Sequence, residues 1–249
     1  MTSSWIKTLA RHSSPQIQLF CLPHAGGNAA LYRGWREILP PEIELNLICY
    51  PGRLDRLQQR MPTLMSELVR ELADAIAPIL NKNWAILGHS MGAVVAHETV
   101  LELQRRGRAS PILLAVSARE APQFHKPGIL HQQDDDALCN ELLRLKGTDP
   151  VLLAMPEIRE LILPTMRGDY AMIEQWQLSS SQPLECPIAA FVGNEDPELS
   201  VQHAQGWSSW TSTGFTLDRF DGGHFYFSDN PQPLIERLRE RLYQYQTVS

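Results

Sequence analysis

The fold is decided by the stretch Trp84-Ala85-Ile86-Leu87-Gly88-His89-Ser90-Met91-Gly92-Ala93-Val94-Val95. Its first four residues are apolar and predict a buried strand, and the residues from Met91 onward predict a helix. Gly-x-Ser-x-Gly at the junction indicates a tight turn, because bulky side chains two positions before or after the serine would clash. The start of the helix then faces Ser90 and favours negative charge that develops there.

Short apolar runs alternate with helical patterns on both sides of this turn. The predicted strands are Ile17–Leu22, Leu45–Tyr50, Trp84–Leu87, Ile112–Val116 and Ile188–Val192, with a last one at Phe215–Phe220. The predicted helices are Ala30–Ile38, Leu64–Leu80, Met91–Arg106 and Leu234–Tyr245. The first five strands lack regular polar alternation, which is typical of a parallel sheet covered on both faces. A strand–serine–helix turn in such a doubly wound α/β sheet is the nucleophile elbow of the α/β-hydrolase fold.

One helix and one long segment carry more specific predictions. In Leu64–Leu80 an apolar residue recurs every three or four positions, which predicts a single buried face. That face comprises Leu64, Leu68, Leu72, Ala75, Ile76 and Ile79. Between Ala121 and Pro183 we predict no strand, only two helices, Asp134–Leu145 and Pro156–Trp176. We therefore expect residues 1–249 to form one α/β-hydrolase domain with a helical insertion at about 121–183, which is either a lid or a set of packing helices.

The composition excludes several classes of protein. The chain has 249 residues, of which 43% are hydrophobic, and this is typical of a globular protein and not of a disordered one. Its net charge of −6 argues against non-specific nucleic-acid binding. We find neither an apolar run long enough to span a membrane nor a signal-peptide core at the N-terminus, and we expect a cytoplasmic protein. The four cysteines contain no CxxC pair, so we expect buried free thiols.

A serine hydroxyl needs a base and an acid to become a good nucleophile, and in this fold they follow in the order serine, acid, histidine. His224 lies between the last predicted strand and the last helix, whereas His203 is typical of an exposed helix start. Asp196, just after the strand Ile188–Val192, is the preferred acid, with Glu195 as a close rival and Asp221 as a weaker one.

The oxyanion that forms on a carbonyl also needs hydrogen-bond donors. The backbone N–H of Met91, the residue after the nucleophile, is the first expected donor. The second should come from the glycine-rich loop after the first strand, where we favour Ala25. We assign no catalytic role to the neighbouring His24.

A loop with the arginines Arg53, Arg56 and Arg60 follows the second predicted strand. These cations could meet the phosphate of a substrate or an acidic partner surface. A solvated charged loop is the interpretation that we favour.

Five stretches resemble the type II, or editing, thioesterases of nonribosomal peptide and polyketide assembly lines. They are Leu22-Pro23-His24-Ala25-Gly26-Gly27, Tyr50-Pro51-Gly52-Arg53, Gly88-His89-Ser90-Met91-Gly92, Leu163-Pro164-Thr165-Met166-Arg167-Gly168-Asp169-Tyr170 and Gly223-His224-Phe225. Gly193-Asn194-Glu195-Asp196 matches the acid position of the family, and Gly168 stands where the family usually has alanine. The stretches span nearly the whole chain in the family's order.

This resemblance implies hydrolysis of acyl or aminoacyl thioesters on the phosphopantetheine arm of carrier proteins, which rescues stalled or mis-primed synthetase modules. It also implies that Ala121–Pro183 is a mobile lid and that the chain is a monomer that partners acyl or peptidyl carrier domains. The chemistry needs no metal and no redox cofactor. A general carboxylesterase of the same fold, or a non-catalytic partner of carrier domains, stays open as an alternative.

Overall fold

The computed structural model describes residues 4–9, 15–81 and 83–246. Seven strands form one sheet in the order β1-β3-β2-β4-β5-β6-β7. Their bounds are Ile6–Leu9 (β1), Ile17–Leu22 (β2), Ile43–Ile48 (β3), Trp84–His89 (β4), Leu113–Ser117 (β5), Ile188–Gly193 (β6) and Phe215–Phe220 (β7). β1 pairs antiparallel with β3, and all the other neighbours are parallel. The predicted α/β fold with a mostly parallel sheet is therefore confirmed.

Helices cover both faces of this sheet. The α-helices are Met65–Ile76 (α1), Met91–Arg105 (α2), Asp135–Arg144 (α3), Pro150–Leu153 (α4), Pro156–Glu174 (α5), Val201–Gln205 (α6) and Gln232–Tyr245 (α7). The helix predicted at Ala30–Ile38 is present as a 3₁₀ helix, Ala29–Glu37. Among the described residues, no helix combines the length and the apolar character that a membrane span requires.

The two faces of the sheet bury separate apolar clusters. Phe20, Ile86 and Leu114 pack toward α1 and α2 on one face. Leu19 and Leu87 pack toward the 3₁₀ helix and α7 on the other. Every residue of β4 is buried, because neighbouring strands and both helical layers enclose it. This double covering explains why the central strands show no polar alternation.

Two sequence predictions differ from the structure at the edges of elements. The edge strand β1 was not predicted, because its sequence Ile-Lys-Thr-Leu is half polar. The helix predicted at Leu64–Leu80 is shorter, and its end positions Leu64 and Ile79 are exposed rather than buried. Both lie outside α1, where helical periodicity no longer determines which way a side chain points.

The segment between β5 and β6 contains helices and no strand from Ala121 to Pro183, as predicted. Two short 3₁₀ helices, Pro122–Phe124 and Leu130–Gln132, precede α3, α4 and α5. A third small apolar cluster joins α3 to α5 through Leu138, Leu142 and Met166.

The cysteines are free thiols: Cys21, Cys139 and Cys186 are buried as predicted, whereas Cys49 is partly exposed.

Candidate active site

Ser90 occupies a strained turn between β4 and α2. Its backbone has φ 55° and ψ −119°, in the left-handed region of φ that residues with a β-carbon rarely adopt. The Ser90 N–H donates to the Ser117 carbonyl at 2.8 Å, and the Ser90 carbonyl accepts from the Ala93 N–H at 2.9 Å. These bonds hold the turn so that the serine stands at the carboxyl edge of the sheet.

The two glycines of the motif are required by close backbone contacts. A β-carbon at Gly88 would come within 2.0 Å of the Gly92 carbonyl oxygen. A β-carbon at Gly92 would come within 2.5 Å of the Leu22 carbonyl oxygen, at the end of β2. Any larger residue would push α2 away from the sheet and displace Ser90.

His224 and Asp196 form a buried hydrogen-bonded pair. The Nδ1 atom of His224 lies 3.1 and 3.0 Å from the two carboxylate oxygens of Asp196. The side chains are 3% and 0% exposed, respectively. A carboxylate accepts only, so it favours the tautomer with the proton on Nδ1 and leaves the Nε2 lone pair as a base.

The rival acids lie elsewhere. Glu195 is exposed, and its N–H donates to the Gly222 carbonyl at 2.9 Å. Asp221 accepts a hydrogen bond from the side chain of Asn194 at 3.1 Å. The structure therefore brings Asp196, and neither rival, to His224. The two loops approach closely, since a β-carbon at Gly193 would lie 2.2 Å from the Gly223 carbonyl oxygen.

The loop after β2 contains a tight turn, His24–Gly27. The Gly27 N–H donates to the His24 carbonyl at 2.9 Å, and Gly26 has φ +72°, as a type II turn requires at its third position. The Gly26 N–H donates to an Asp169 carboxylate oxygen at 2.7 Å. Ala25 lies in this turn next to Gly26 and lines the same cavity as Ser90. Met91 is the first residue of α2, so its N–H has no partner within the helix.

A buried ion pair holds the turn His24–Gly27 in place. Arg53 donates from Nη1 and Nη2 to the two carboxylate oxygens of Asp169, both at 2.8 Å. The same Nη1 donates to the Gly27 carbonyl at 2.9 Å. Arg53 and Asp169 are 8% and 0% exposed. The pair thus ties the glycine-rich turn to α5 and to the loop after β3.

The prediction of a solvated arginine loop is wrong for two of its three cations. Besides Arg53, Arg56 is buried, and it donates to the Cys49 carbonyl at 2.6 Å and lies 4.1 Å above the ring of Trp5. Burial lowers the pKa of Arg56. Only Arg60 is solvated as expected, and it pairs with Glu67. Both buried guanidiniums donate hydrogen bonds to backbone carbonyls, and no sequence pattern indicates such contacts.

Two further histidines surround the pair. Burial, followed by the charges of His224 and Arg53, lowers the pKa of His24 to about 3. Burial and His224 also lower the pKa of His89, whose Nδ1 lies 3.0 Å from the Ser117 hydroxyl. Both rings are therefore neutral at pH 7. Sequence reasoning gave them no role, although both belong to the quoted motifs.

Ser90, His224 and Ala25 line one cavity of about 170 Å³. Its remaining wall is mostly apolar and comes largely from α3 to α5, and it includes Leu142, Leu145, Leu152, Ile158, Ile162, Met166, Tyr170 and Phe225. Among the described residues, no cluster of three or more His, Cys, Asp or Glu side chains could hold a metal ion. The arrangement brings a serine hydroxyl, a buried imidazole paired with a carboxylate, and the backbone of Ala25 to one mostly apolar cavity.

Known proteins share this architecture. The model of the thioesterase domain family matches residues 17–242. Thioesterase PikA5 of Streptomyces venezuelae is 36% identical over 243 residues, which cover 96% of this chain and 85% of PikA5. The gramicidin S biosynthesis protein GrsT of Aneurinibacillus migulanus is 32% identical over 241 residues, which cover 96% and 94% of the two chains.

A solved structure is similar to this chain as well. The type II thioesterase BorB from the borrelidin biosynthetic cluster superposes with a TM-score of 0.88 at 34% identity, covering 97% of this chain and 99% of BorB. Together with the match to the family model, these likenesses show that the chain belongs to the thioesterase domain family, a family of thioester hydrolases.

Proposed function

We propose that this protein hydrolyses acyl and aminoacyl thioesters from the phosphopantetheine arm of carrier proteins. The observation that carries the proposal is the buried hydrogen bond between His224 and Asp196, with Ser90 on the same cavity wall. The names of its relatives support the substrate class, since GrsT belongs to gramicidin S biosynthesis and BorB to the borrelidin cluster. The partners are then acyl or peptidyl carrier domains in the cytoplasm, and the enzyme acts as a monomer without a metal or cofactor.

The reaction proceeds through an acyl-enzyme. The Ser90 hydroxyl attacks the thioester carbonyl while Nε2 of His224 takes its proton, and Asp196 stabilises the resulting imidazolium. The N–H groups of Ala25 and Met91 hold the oxyanion. The C–S bond then breaks, and His224 returns the proton to the pantetheine sulfur. Water, activated by His224, attacks the acyl-serine ester and releases the free acid and Ser90.

The helical segment at about 121–183 is proposed as a lid. Its helices α3 to α5 supply most of the apolar wall of the cavity. Asp169 of α5 also holds the Gly26 N–H, so the lid contacts the turn that carries the oxyanion donor Ala25. Closure over the acyl group would exclude bulk water from the acyl-enzyme until the carrier thiol leaves.

The test is release of acyl groups from a loaded carrier domain, followed by intact-protein mass spectrometry. We expect fast loss of acetyl, longer acyl or aminoacyl groups with the wild-type protein and none above background with Ser90→Ala. Brisk cleavage of simple oxygen esters without release from carriers would favour a general carboxylesterase. Binding of carriers without turnover, and no reaction of Ser90 with a fluorophosphonate, would indicate a non-catalytic partner.

A further inference from the structure

A second cavity lies beside the catalytic one, toward the C-terminal end of α5. The catalytic cavity has a volume of about 170 Å³, and the second has about 500 Å³ and is more open to solvent. Tyr170 lines both, and it is the one described residue that does so. The two cavities therefore adjoin at Tyr170.

The two cavities differ in chemistry. The catalytic cavity is walled mainly by aliphatic and aromatic side chains. The second cavity is lined by many charged groups, which include Arg119, Glu120, Lys126, Glu141, Glu174 and Glu198. Burial raises the pKa of Tyr170, and the carboxylates of Glu141 and Glu198 raise it further. Tyr170 thus belongs both to the apolar wall and to the charged lining.

Tyr170 is held in this place by its neighbours. Asp169, the preceding residue of α5, accepts hydrogen bonds from Arg53 and from the Gly26 N–H. The ring of Tyr170 also packs against the main apolar cluster on one side and the small cluster of α3 and α5 on the other. The helical turn that carries Tyr170 therefore cannot move away without breaking a buried ion pair.

We propose that Tyr170 sets the upper length of the acyl group that the enzyme accepts. This inference rests on the proposed thioesterase function and adds the residue that limits its substrate. An acyl chain that fills the catalytic cavity meets the Tyr170 ring. Without the ring, the chain continues into the second cavity, whose opening lets the chain end reach water instead of being buried against fixed charges.

The test compares kcat/KM for acetyl, hexanoyl and dodecanoyl thioesters of pantetheine. We expect Tyr170→Ala to raise the dodecanoyl-to-acetyl ratio at least about tenfold, because about two methylenes are then buried in the space that the ring leaves and each changes binding about fourfold. Tyr170→Leu should give a smaller rise in the same direction. Tyr170→Phe should keep the wild-type ratio, because the ring remains.

Two control variants test whether loosened packing alone changes the dodecanoyl-to-acetyl ratio. Ile173→Ala enlarges only the second cavity, and Ile162→Ala enlarges only the catalytic one, so neither joins the two. Ile173→Ala should keep the wild-type ratio, and Ile162→Ala should shift it less than Tyr170→Ala does. An unchanged ratio in folded Tyr170→Ala, or an equal rise in Ile173→Ala, would overturn the proposal.

A binding measurement makes the outcome independent of turnover. In the Ser90→Ala background, calorimetry gives Kd for the hexanoyl and dodecanoyl thioesters with and without Tyr170→Ala. We expect the Tyr170→Ala change to tighten dodecanoyl binding at least about tenfold relative to hexanoyl binding. Equal Kd ratios would refute the role of Tyr170. Absence of hydrolysis by the wild-type protein would refute the proposed function alone.

Discussion

Two buried aspartates of this thioesterase, Asp196 and Asp169, pair with basic side chains of different chemistry. Both side chains are 0% exposed, and both accept hydrogen bonds from a basic side chain. Asp196 faces the imidazole of His224, a ring with a nitrogen that can accept a proton. Asp169 faces the guanidinium of Arg53, a group that only donates hydrogen bonds. Equal burial therefore does not mean an equal role, because only the first partner can transfer a proton.

The positions of the two pairs agree with this difference. His224 lines the cavity that contains Ser90, whereas neither Arg53 nor Asp169 is among the described residues that line it. Asp169 instead joins α5, the glycine-rich turn and the loop after β3. We infer that one pair serves the chemistry and the other holds the segments around it.

The largest expected effect comes from Asp196→Asn. The asparagine keeps the size of the side chain, but its amide carries no negative charge. It therefore no longer fixes the proton on Nδ1 of His224, and it no longer stabilises the imidazolium that forms during the reaction. We expect kcat to fall about 10³–10⁴-fold. The measurement is hydrolysis of an acetyl-pantetheine thioester, with the midpoint of thermal unfolding as a check of folding. A loss of less than tenfold would contradict the assigned role of Asp196.

Asp169→Asn should show the reverse pattern. It leaves the buried charge of Arg53 without a counter-charge, so we expect the free energy of unfolding to fall by about 3–5 kcal/mol. Below the unfolding temperature, kcat should fall far less than in Asp196→Asn. Urea unfolding gives the first quantity and the thioester assay the second.

A matched control for Asp169→Asn is the exposed pair of Arg60 and Glu67. Arg60→Ala should change the free energy of unfolding by no more than about 1 kcal/mol, because water screens this pair. If Asp169→Asn were no more destabilising than Arg60→Ala, the buried ion pair of Arg53 and Asp169 would contribute no more to the free energy of unfolding than an exposed pair does.

A smaller effect than that of either aspartate concerns His24, whose pKa is lowered by burial and by the basic partner of each aspartate, His224 and Arg53. The unfolded chain binds a proton at this residue below pH 6.5, whereas the folded protein does so only near pH 3. The free energy of unfolding therefore falls as the pH is lowered through this window. The contribution of His24 is up to about 1.4 kcal/mol per pH unit.

His24→Leu removes this titration, so its unfolding free energy should depend less steeply on pH. Urea unfolding of both proteins between pH 4.5 and 7 measures the two slopes. Identical slopes would show that His24 is not held neutral by the fold.

Local patterns predicted much of the fold and of the candidate site. The strands β2 and β7 have the predicted bounds, and the Gly88–Gly92 turn has the predicted geometry. Chain order left His203 and His224, the loop position favoured His224, and the structure brings His224 to Asp196. The polar edge strand β1 and the ends of α1 were missed, because their residues follow no clear apolar period.

The sequence by itself determined the α/β class, the position of the serine turn and the order of the site residues along the chain. These follow from burial periodicity and from steric demands between residues that are neighbours in sequence. Only the tertiary structure decided that Asp196 rather than Glu195 faces His224, that Arg53 pairs with Asp169, and that Tyr170 lines two cavities. Arg53 and Asp169 lie 116 positions apart, and a contact of that kind depends on how distant elements pack, which no local pattern encodes.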